Sequence, residues 1–355
     1  MSETETEART GDAGPRELLE ELVRIPSVSR DERACAERLA AYFEANGREV
    51  WIDEVGNVRA PADDGVLLTS HIDTVPGDIP VRVEDGADGP ELWGRGSVDA
   101  KGPLAAMAVA AVRTGASFAG VVGEEVDSAG GRYLVEDREA VPDAVVNGEP
   151  SGWEGITLGY RGLLAGTYVA TSESGHSSRP ENNAIQDAMD WWWRVEQEFE
   201  KDEWAPVFER VTCKPVSVEG GISEDGLSVE TTMDVQLRVP PAFTTDEIRE
   251  IADGHLDRGT VNWDDRVEPV MQSPRTPVAR AFRAAIRQQG GDPTLLRKTG
   301  TSDMNVYAQA WDCPMVTYGP GDSDLDHAPD EHIVLAEYDR AVAVLEGVAE
   351  QLLET

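Results

Sequence analysis

Acidic residues and histidines directly follow several short apolar runs of this sequence. The side chains at these positions that could bind a metal ion or move a proton are His71, Asp73, Glu124, Glu125, Glu149 and His327. Because ligands of open α/β sheets bind at the carboxyl ends of the strands, we expect these side chains to meet in one crevice. Asp99 lies in a glycine-rich loop just before an apolar helical pattern, from which it could reach the same crevice.

Two histidines and three carboxylates, without a thiolate, form a hard set of nitrogen and oxygen donors. Such donors suit Zn²⁺, Co²⁺ or Mn²⁺, and five ligands of which one carboxylate is shared indicate a pair of ions. Each residue taken alone has a simpler interpretation, because a carboxylate after a strand is usually a helix cap or a solvated loop residue. The conjunction of all of them predicts a dinuclear metal site.

Helical and strand patterns alternate on both sides of a differently patterned middle segment. Apolar spacing predicts helices over about 15–25, 31–46, 102–113, 130–136, 279–289 and 337–353, and strands over 65–70, 117–123, 143–147 and 314–319. This alternation is typical of a sheet with helices on its faces. We therefore predict an α/β fold, in which a mixed sheet flanked by helices carries the dinuclear metal site.

Residues 159–266 form the differently patterned segment. The predicted order there is strand, helix, two strands, helix, with strands at 163–172, 211–218 and 227–239. That order suits a small open sheet backed by two helices. We therefore predict a smaller α+β domain, residues 159–266, inserted into a catalytic domain of residues 15–158 and 267–355. Residues 1–14 are predicted to be a disordered acidic tail.

Three consecutive tryptophans, residues 191–193, lie in the first helix of the inserted segment. They point in three directions around a helix, so at most two of them can face a core. An exposed tryptophan at this position could mark a dimer surface. Simple core packing is the favoured interpretation.

The charge of the chain is strongly negative. There are 31 basic and 68 acidic residues, so the formal net charge is 31 − 68 = −37, and only four of the basic residues are lysines. Nucleic acid is therefore excluded as an expected partner, because binding to phosphates needs basic side chains. Such an excess is tolerated where concentrated salt screens self-repulsion, which indicates a halophilic host. An ordinary acidic protein is the alternative.

Cysteine usage and apolar run length indicate the compartment. Cys35, Cys213 and Cys313 are widely spaced and form no CxxC pattern, which argues against a disulfide framework or a thiolate zinc site and fits a reducing cytoplasm. The apolar runs are far shorter than the roughly 20 residues that cross a bilayer, so no membrane helix is expected. Residues 1–14 lack the basic and apolar regions of a secretory signal.

Six motifs resemble, in the same order, those of the zinc-dependent aminoacylase and carboxypeptidase family. They are residues 71–73 (HID), 94–102 (GRGSVDAKG), 123–125 (GEE), 148–150 (GEP), 174–176 (SGH) and 327–331 (HAPDE). The family includes acetylornithine deacetylase, succinyl-diaminopimelate desuccinylase and glutamate carboxypeptidase. The resemblance covers nearly the whole chain after residue 15 and implies a catalytic domain interrupted by a lid, through which many members form homodimers.

The same resemblance implies a set of metal ligands. Asp99 would bridge two metal ions, with His71 and Glu149 completing one site and Glu125 and His327 the other. These ions would be Zn²⁺ or Co²⁺.

Three further residues receive catalytic roles from the resemblance. Asp73 would fix the orientation and tautomer of His71. Glu124 would take a proton from the attacking water and deliver it to the leaving amine. His176, in the inserted domain, would stabilise the oxyanion, either in its own site or in that of a partner subunit.

The amino-acid sequences of residues 94–104, 298–305 and 327–332 resemble those of one subgroup of the family. Its members release lysine or ornithine from the C-terminal glutamate of an acidic amino-group carrier protein of the LysW type, in lysine and arginine biosynthesis. Arg161, Thr301 and Ser302 are the candidates for binding a substrate carboxylate, through charge and hydroxyl donors. For Arg161, a solvated surface position is the alternative.

Two other functions stay open on the sequence alone. An acetylornithine deacetylase, a succinyl-diaminopimelate desuccinylase or a di- or carboxypeptidase of the same family would have the same catalytic residues and a different pocket. A non-catalytic metal-binding scaffold is the remote alternative, and it would require a damaged centre. His332, close to His327 in sequence, could imitate it as a ligand.

Overall fold

The structure, a computed structural model, describes residues 14–175, 178, 180–200 and 204–354. These residues divide into two compact units. Unit 1 takes the residues up to Leu158, Gln272–Leu296 and the residues from Val306 on, and unit 2 takes Gly159–Met271 and Arg297–Asn305. Unit 2 therefore differs from the predicted insertion in two respects, since it extends to residue 271 and includes residues 297–305.

The described residues form helices and strands throughout. The helices are α1 (Pro15–Arg24), α2 (Arg33–Ala45), α3 (Lys101–Thr114), α4 (Ala129–Asp137), α5 (Ala184–Phe199), α6 (Thr245–Gly254), α7 (Pro277–Gln288), α8 (Asp303–Ala310) and α9 (Leu335–Leu353). None of these helices is both long enough and apolar enough to span a membrane.

The strands are, in chain order, β1 (Trp51–Ile52), β2 (Val58–Ala60), β3 (Asp63–His71), β4 (Arg82–Gly86), β5 (Gly89–Trp93), β6 (Ala116–Val121), β7 (Val145–Gly148), β8 (Gly155–Tyr160), β9 (Gly162–Glu173), β10 (Thr212–Ile222), β11 (Ser228–Val239), β12 (Thr260–Val267), β13 (Val270–Met271), β14 (Thr294–Lys298), β15 (Met315–Thr317) and β16 (His332–Val334).

The main sheet of unit 1 is mixed. Its strands follow the order β1-β2-β6-β3-β7-β15-β8. The central strands β6, β3, β7 and β15 are parallel, and their neighbours β2 and β8 run antiparallel to them. Helices α3 and α9 pack against β3. The predicted mixed sheet flanked by helices is thus confirmed.

Helix α3 lies at the centre of the unit 1 core. Its residues 101–111 are all buried, and it packs against α1, α9 and β3. A helix that is buried on every side must be apolar on every side, which explains the alanine-rich run after Pro103. Since Asp99 lies just before the first turn, the packing of α3 also fixes the loop that carries Asp99.

A smaller antiparallel sheet in unit 1 has the strand order β16-β5-β4. Its register places His332 opposite Trp93, and the Gly94 N–H donates to the Glu331 carbonyl at 3.3 Å. Strand β5 leads into residues 94–100, and β16 follows residues 327–331. The sheet therefore brings together two chain segments that are more than 200 residues apart in sequence.

Unit 2 contains a four-stranded antiparallel sheet in the order β10-β11-β9-β12. Helices α5 and α6 pack against it, as the order of patterns predicts. The fourth strand, β12, is missing from the prediction because it is a largely polar, partly exposed edge strand. Residues 297–305 join this unit through the Asn305 amide, which donates to the carbonyls of Arg161 at 3.2 Å and Glu268 at 2.8 Å.

The three tryptophans of α5 separate into two buried rings and one exposed ring. Trp191 is stacked on Tyr168 with 5.0 Å between the ring centroids, and its Nε1 donates to the Ala252 carbonyl at 2.9 Å. Trp192 is also buried, whereas Trp193 is 60% exposed. The core of unit 2 is therefore built around two of the three rings.

Candidate metal centre

Three neighbouring parallel strands deliver the candidate ligands to one edge of the main sheet. His71 is the last residue of β3, and Glu149 directly follows β7. In the strand register, His71 lies opposite Val121, the last residue of β6, and Ser70 lies opposite Gly148. The side chains at the carboxyl ends of these strands must therefore converge, as the position of the apolar runs predicts.

Asp99 lies between the two histidines. Its Oδ1 is 3.1 Å from Nε2 of His71, and its Oδ2 is 3.1 Å from Nε2 of His327. Each oxygen of one carboxylate thus faces a different imidazole. This is the arrangement expected of a carboxylate that bridges two cations.

The remaining two carboxylates lie beside one histidine each. Glu149 Oε2 is 3.8 Å from Nε2 of His71, and Glu125 Oε2 is 3.1 Å from Nε2 of His327. Two overlapping groups of potential ligand atoms result, in each of which the atoms lie within 4.8 Å of one another: His71, Asp99 and Glu125, and His71, Glu124 and Glu149. The second group contains Glu124, the predicted base, and neither group contains His327. His327 joins the other four predicted ligands through its 3.1 Å contacts with Asp99 and Glu125.

The concentration of negative charge shifts the pKa values of these groups. Burial raises the pKa of Glu125, and the Asp99 carboxylate adds to this, giving a value of about 7. The hydrogen bond to Asp99 raises the pKa of His327 to about 9. Burial lowers the pKa of His71, but Glu149 and the hydrogen-bonded carboxylates outweigh it and hold that pKa well above its ordinary value. Such carboxylates draw positive charge into the site.

The donor set fits a pair of divalent metal ions. Two imidazole nitrogens and three carboxylates, without a thiolate, suit divalent ions that take nitrogen and oxygen ligands, such as Zn²⁺, Co²⁺ or Mn²⁺. His327 has a left-handed backbone, with φ of +60°, a conformation that costs a non-glycine residue free energy and is concentrated at functional sites. These residues could therefore hold the ions that the sequence predicts.

Asp73 makes more contacts than its predicted role requires. It is fully buried, and its Oδ1 lies 3.4 Å from Nδ1 of His71. Its two oxygens also accept the backbone N–H groups of Glu124, at 3.1 Å, and Glu125, at 3.2 Å. The Ser29 hydroxyl donates to Asp73 at 2.7 Å. The backbone carbonyl of Asp73 lies closer to Nδ1 of His71, at 3.0 Å. Asp73 thus holds the histidine mainly through its backbone and the Glu124–Glu125 turn through its carboxylate.

Ser29 and Glu331 are residues of this centre to which the sequence patterns assign no function. Ser29 lies in an early loop with no distinctive pattern. For Glu331 the sequence did offer an indication, because this residue ends the motif at residues 327–331. It is fully buried and accepts hydrogen bonds from the loop that carries Asp99.

In unit 2, Arg161 lines a cavity of about 470 Å³ with two other cationic side chains. We call this cavity the basic pocket; its lining residues are Arg161, Val207, Thr212, Lys214, Gln236, Arg238, Thr299 and Gly300. Among the described residues, no carboxylate forms an ion pair with Arg161, Lys214 or Arg238 within 4.0 Å. Three cations without such a partner favour an anionic ligand.

Arg161 is buried rather than solvated, with 5% of its surface exposed. Its guanidinium donates to the Thr299 carbonyl at 2.9 Å and to the Thr212 hydroxyl at 2.9 Å. Burial, reinforced by the charges of Arg238 and Arg210, lowers its pKa to about 10. The alternative of a solvated surface arginine is thereby excluded.

The two predicted hydroxyl donors differ in position. Thr301 Oγ1 accepts from Arg238 Nη1 at 3.4 Å, which brings it next to a cation of the basic pocket. Ser302 is buried, and its hydroxyl accepts the Met304 N–H at 3.3 Å, at the start of α8. Ser302 is not among the lining residues of the basic pocket.

Two further histidines were candidates for this site on the sequence. His176 lies outside the described residues. His332 is stacked on Trp93, with 4.4 Å between the ring centroids, and its Nδ1 lies 2.8 Å from the Asp330 carbonyl. Its Nε2 lies 3.7 Å from Oε2 of Glu91, which is not one of the five predicted ligands.

Known sequences resemble this chain over most of its length. Residues 67–351 match the family described as peptidase family M20/M25/M40. A LysW-lysine hydrolase from Deinococcus radiodurans is 40% identical, over 95% of this chain and 97% of that protein. A LysW-lysine/LysW-ornithine hydrolase from Sulfurisphaera tokodaii is 30% identical, over 95% of each chain.

Solved structures share the fold. An M20 family metallo-carboxypeptidase from Sulfolobus solfataricus superimposes with a TM-score of 0.77 at 18% identity, covering 97% of this chain and 100% of its own. A Bacillus subtilis protein described as a dinuclear metal-binding peptidase of the M20 family gives a TM-score of 0.70 at 15% identity, covering 96% and 98%. At such low identity these similarities concern the fold alone.

Proposed function

Because the chain belongs to peptidase family M20/M25/M40, we propose that it is a metal-dependent amide hydrolase that releases ornithine or lysine from the C-terminal glutamate of an amino-group carrier protein of the LysW type. The observation that carries the chemistry is the Asp99 carboxylate, with one oxygen 3.1 Å from each histidine. The substrate class is supported by the hydrolases at 40% and 30% identity.

We assign the metal ligands as the family resemblance implies, and the distances around Asp99 support the assignment. His71, Asp99 and Glu149 would hold one Zn²⁺ or Co²⁺ ion, and Asp99, Glu125 and His327 the other. When bound, a pair of such ions polarises the amide carbonyl and makes water more acidic. Asp73 is proposed to hold the imidazole of His71 so that Nε2 faces the metal position. The contacts at Nδ1 support this role, with the Asp73 backbone carbonyl at 3.0 Å and its carboxylate at 3.4 Å.

Glu124 is the general base and acid of the proposed reaction. Its carboxylate removes a proton from the attacking water, whose oxygen forms a bond to the amide carbon. The C–N bond then breaks, and Glu124 delivers the proton to the leaving amino group. The Asp73 carboxylate accepts hydrogen bonds from the N–H groups of Glu124 and Glu125, which keeps Glu124, the base, and Glu125, the ligand, in fixed relative positions.

His176 is proposed to stabilise the negative charge that develops on the carbonyl oxygen.

The substrate carries carboxylate groups, for which the basic pocket supplies cations. We assign to Arg161 the binding of one such carboxylate, with Thr301 beside it and Ser302 holding the start of α8. The unneutralised charges of Lys214 and Arg238 support an acidic ligand. In a chain of net charge −37, a local cluster of cations is the feature that an acidic carrier would recognise.

We further propose a homodimer formed through unit 2, the lid of the proposed enzyme. Strand β10 is an edge strand, and most of its residues are exposed. Val216 and Val218 on β10 are 55% and 58% exposed, and Met189 and Trp193 on α5 are 63% and 60% exposed. An exposed edge with apolar side chains is a surface on which a second chain can add.

The oligomeric state can be measured directly. Light scattering after size exclusion in molar KCl should give twice the chain mass of 38.5 kDa. Val218→Lys should shift the wild-type dimer towards monomer, since charge on an edge strand opposes pairing. Val83→Lys, on exposed strand β4 of unit 1, is the matched control. A monomeric wild-type protein would contradict the dimer without affecting the chemistry.

Two properties of the host are part of the proposal. The net charge of −37 supports a halophilic host. The three cysteines are free thiols, which supports the cytoplasm as the compartment.

The test of function is release of ornithine and lysine in molar KCl with added Zn²⁺ or Co²⁺. Carrier-linked ornithine and lysine are compared with N-acetylornithine, for the wild-type protein and for Glu124→Ala. We expect release from the carrier that Glu124→Ala abolishes. Release from N-acetylornithine alone would retain the mechanism and replace the carrier by a small acylated amino acid. No release from either substrate would reject the proposed activity.

A further inference from the structure

Glu331 is a fully buried carboxylate that none of the proposed chemical steps uses. Four N–H donors converge on it. Oε1 accepts from the backbone of Val98 at 2.9 Å and of Asp99 at 3.1 Å. Oε2 accepts from the backbone of Gly96 at 3.1 Å and from Nη1 of Arg95 at 2.7 Å. Every donor belongs to residues 95–99, the segment that ends at the candidate bridging ligand.

The number of donors matches what a carboxylate can accept. An ionised carboxylate has about four lone-pair positions and no donor. A glutamine at this position would offer one oxygen to two of these N–H groups and turn its own amide N–H groups towards the other two. A buried donor that loses its partner costs about 1–3 kcal/mol. The site is therefore built for an ionised carboxylate and not for a neutral isostere.

Because Glu331 lies close to an already acidic centre, its negative charge needs compensating donors. The four N–H donors compensate this charge, and through them the carboxylate holds residues 95–99. The segment that it holds places the two oxygens of Asp99 towards His71 and His327.

The surroundings of this segment leave little room for other conformations. A Cβ added at Gly96 would lie 2.6 Å from Cγ2 of Thr74, and one at Gly102 would lie 2.6 Å from the Ser97 carbonyl oxygen. Thr74 and the first turn of α3 thus pack closely against the segment, and Glu331 accepts four of its N–H groups.

We propose that Glu331 is a positioning residue, which fixes the Asp99 carboxylate between the two metal positions. This inference rests on the metal centre of the proposed function, but not on the identity of the substrate. Through one buried side chain, the segment that follows His327 sets the geometry of the shared ligand of both ions. Loss of Glu331 should therefore weaken the binding of the metal pair even in a protein that stays folded.

The experiment compares Glu331→Gln with Glu84→Gln in the full chain. Glu84 is a solvent-exposed glutamate on β4, in the three-stranded sheet that Glu331 directly precedes, and it is paired with Arg82. Affinity for Zn²⁺ is measured by competition with a chelating dye, and Co²⁺ absorption reports the geometry of the bound ion. Near-ultraviolet circular dichroism and the melting temperature of the metal-free protein report folding. We expect Glu331→Gln to lower Zn²⁺ affinity by about 10–100-fold and to change the Co²⁺ spectrum. Glu84→Gln should match the wild type.

A purely structural role gives a different result. Glu331→Gln would then melt at a lower temperature but, while folded, bind Zn²⁺ with wild-type affinity, and this outcome overturns the proposal. If Glu331→Gln does not fold, Glu331→Asp decides, because it keeps the negative charge but shortens the side chain by one methylene and withdraws it from the N–H groups of residues 96–99. Reduced Zn²⁺ affinity in Glu331→Asp supports the proposal, and wild-type affinity overturns it.

Different experimental results would contradict the substrate assignment and the role of Glu331. A protein that binds two Zn²⁺ ions but releases nothing from the carrier loses its proposed substrate and leaves the role of Glu331 open to the same measurement. A wild-type protein that binds no Zn²⁺ overturns the metal centre and the role of Glu331 together.

Discussion

At the scale of single residues, protons and metal ions compete for the same lone pairs. With pKa values of about 9 and about 7, His327 holds a proton at neutral pH in the metal-free protein and Glu125 holds one about half of the time. A proton must leave each group before its lone pair can bind a cation. The affinity for metal ions must therefore increase as the pH rises from 7 to 9 and decrease as the pH falls below 7.

Titration calorimetry of Zn²⁺ binding, in two buffers of different ionisation enthalpy, measures this competition. At pH 7 we expect about one proton or more to be released for each pair of ions bound. Repeating the titration with His327→Ala should reduce that number. An enthalpy that is the same in both buffers would show that no proton leaves, and would contradict the protonated state of these ligands.

His327 and His332 are both available in the sequence as ligands, and the structure separates them. His327 faces Asp99 and Glu125, whereas His332 is stacked on Trp93. We predict that His327→Ala binds one metal ion and loses activity by at least about 10²-fold, since a ligand to a catalytic metal is removed. His332→Ala should retain two ions. Elemental analysis after gel filtration distinguishes these outcomes, and two ions in both variants would remove His327 from the ligand set.

At the scale of elements, the start of α3 controls the loop of Asp99. A methyl group at Gly102 would meet the Ser97 carbonyl oxygen at 2.6 Å and Ile333 Cδ1 at 2.9 Å. We predict that Gly102→Ala destabilises the protein by about 1–3 kcal/mol, because the closely packed backbone must move. The same displacement should lower Zn²⁺ affinity.

Gly254→Ala is the matched control for this change. Gly254 ends α6, and an added Cβ would meet no atom within 4 Å. This substitution should be neutral or stabilise the protein by about 0.4–1 kcal/mol. Chemical denaturation measures both variants, and equal stabilities of Gly102→Ala and Gly254→Ala would show that the loop adapts freely.

Much of the centre could be predicted because it lies where strands end. An apolar run such as residues 66–70 identifies a buried strand, and the polar residue after it must lie at the edge of the sheet. The pattern of apolar runs alone therefore places His71, Glu125 and Glu149 at one edge. Strand neighbours, by contrast, depend on pairing between distant segments, as for Val145 with Met315.

The features that escaped prediction have weak local signals. Strand β12 carries Asn262, Asp264 and Asp265 on an exposed edge, so its hydrophobic alternation is faint. Glu331 ends the motif at residues 327–331, but in a chain with 68 acidic residues its type does not indicate a function, which only its burial reveals. Residues 297–305 group with unit 2 through the Asn305 amide, a contact that no periodicity can reveal.

At the scale of the whole molecule, the net charge of −37 should make the free energy of unfolding depend on the salt concentration. Repulsion among these charges opposes the compact state in dilute buffer and is screened within about 3 Å in molar salt. We predict that raising KCl from 0.1 to 2 M increases the melting temperature, by roughly 5–10 °C if screening contributes a few kcal/mol. Differential scanning calorimetry measures it. A melting temperature that is highest at low salt would contradict a halophilic host.

The order of chain segments also has a consequence for synthesis on the ribosome. Strand β7 emerges long before its parallel partner β15, which pairs Met315 with Val145. Unit 2 is not complete until Asn305 has been made, and α9, whose Tyr338 and Leu345 are fully buried, comes last. The nascent chain therefore leaves the surface of α3 that packs against α9 uncovered until α9 has been made, and exposed apolar surface of this kind favours aggregation of unfinished chains.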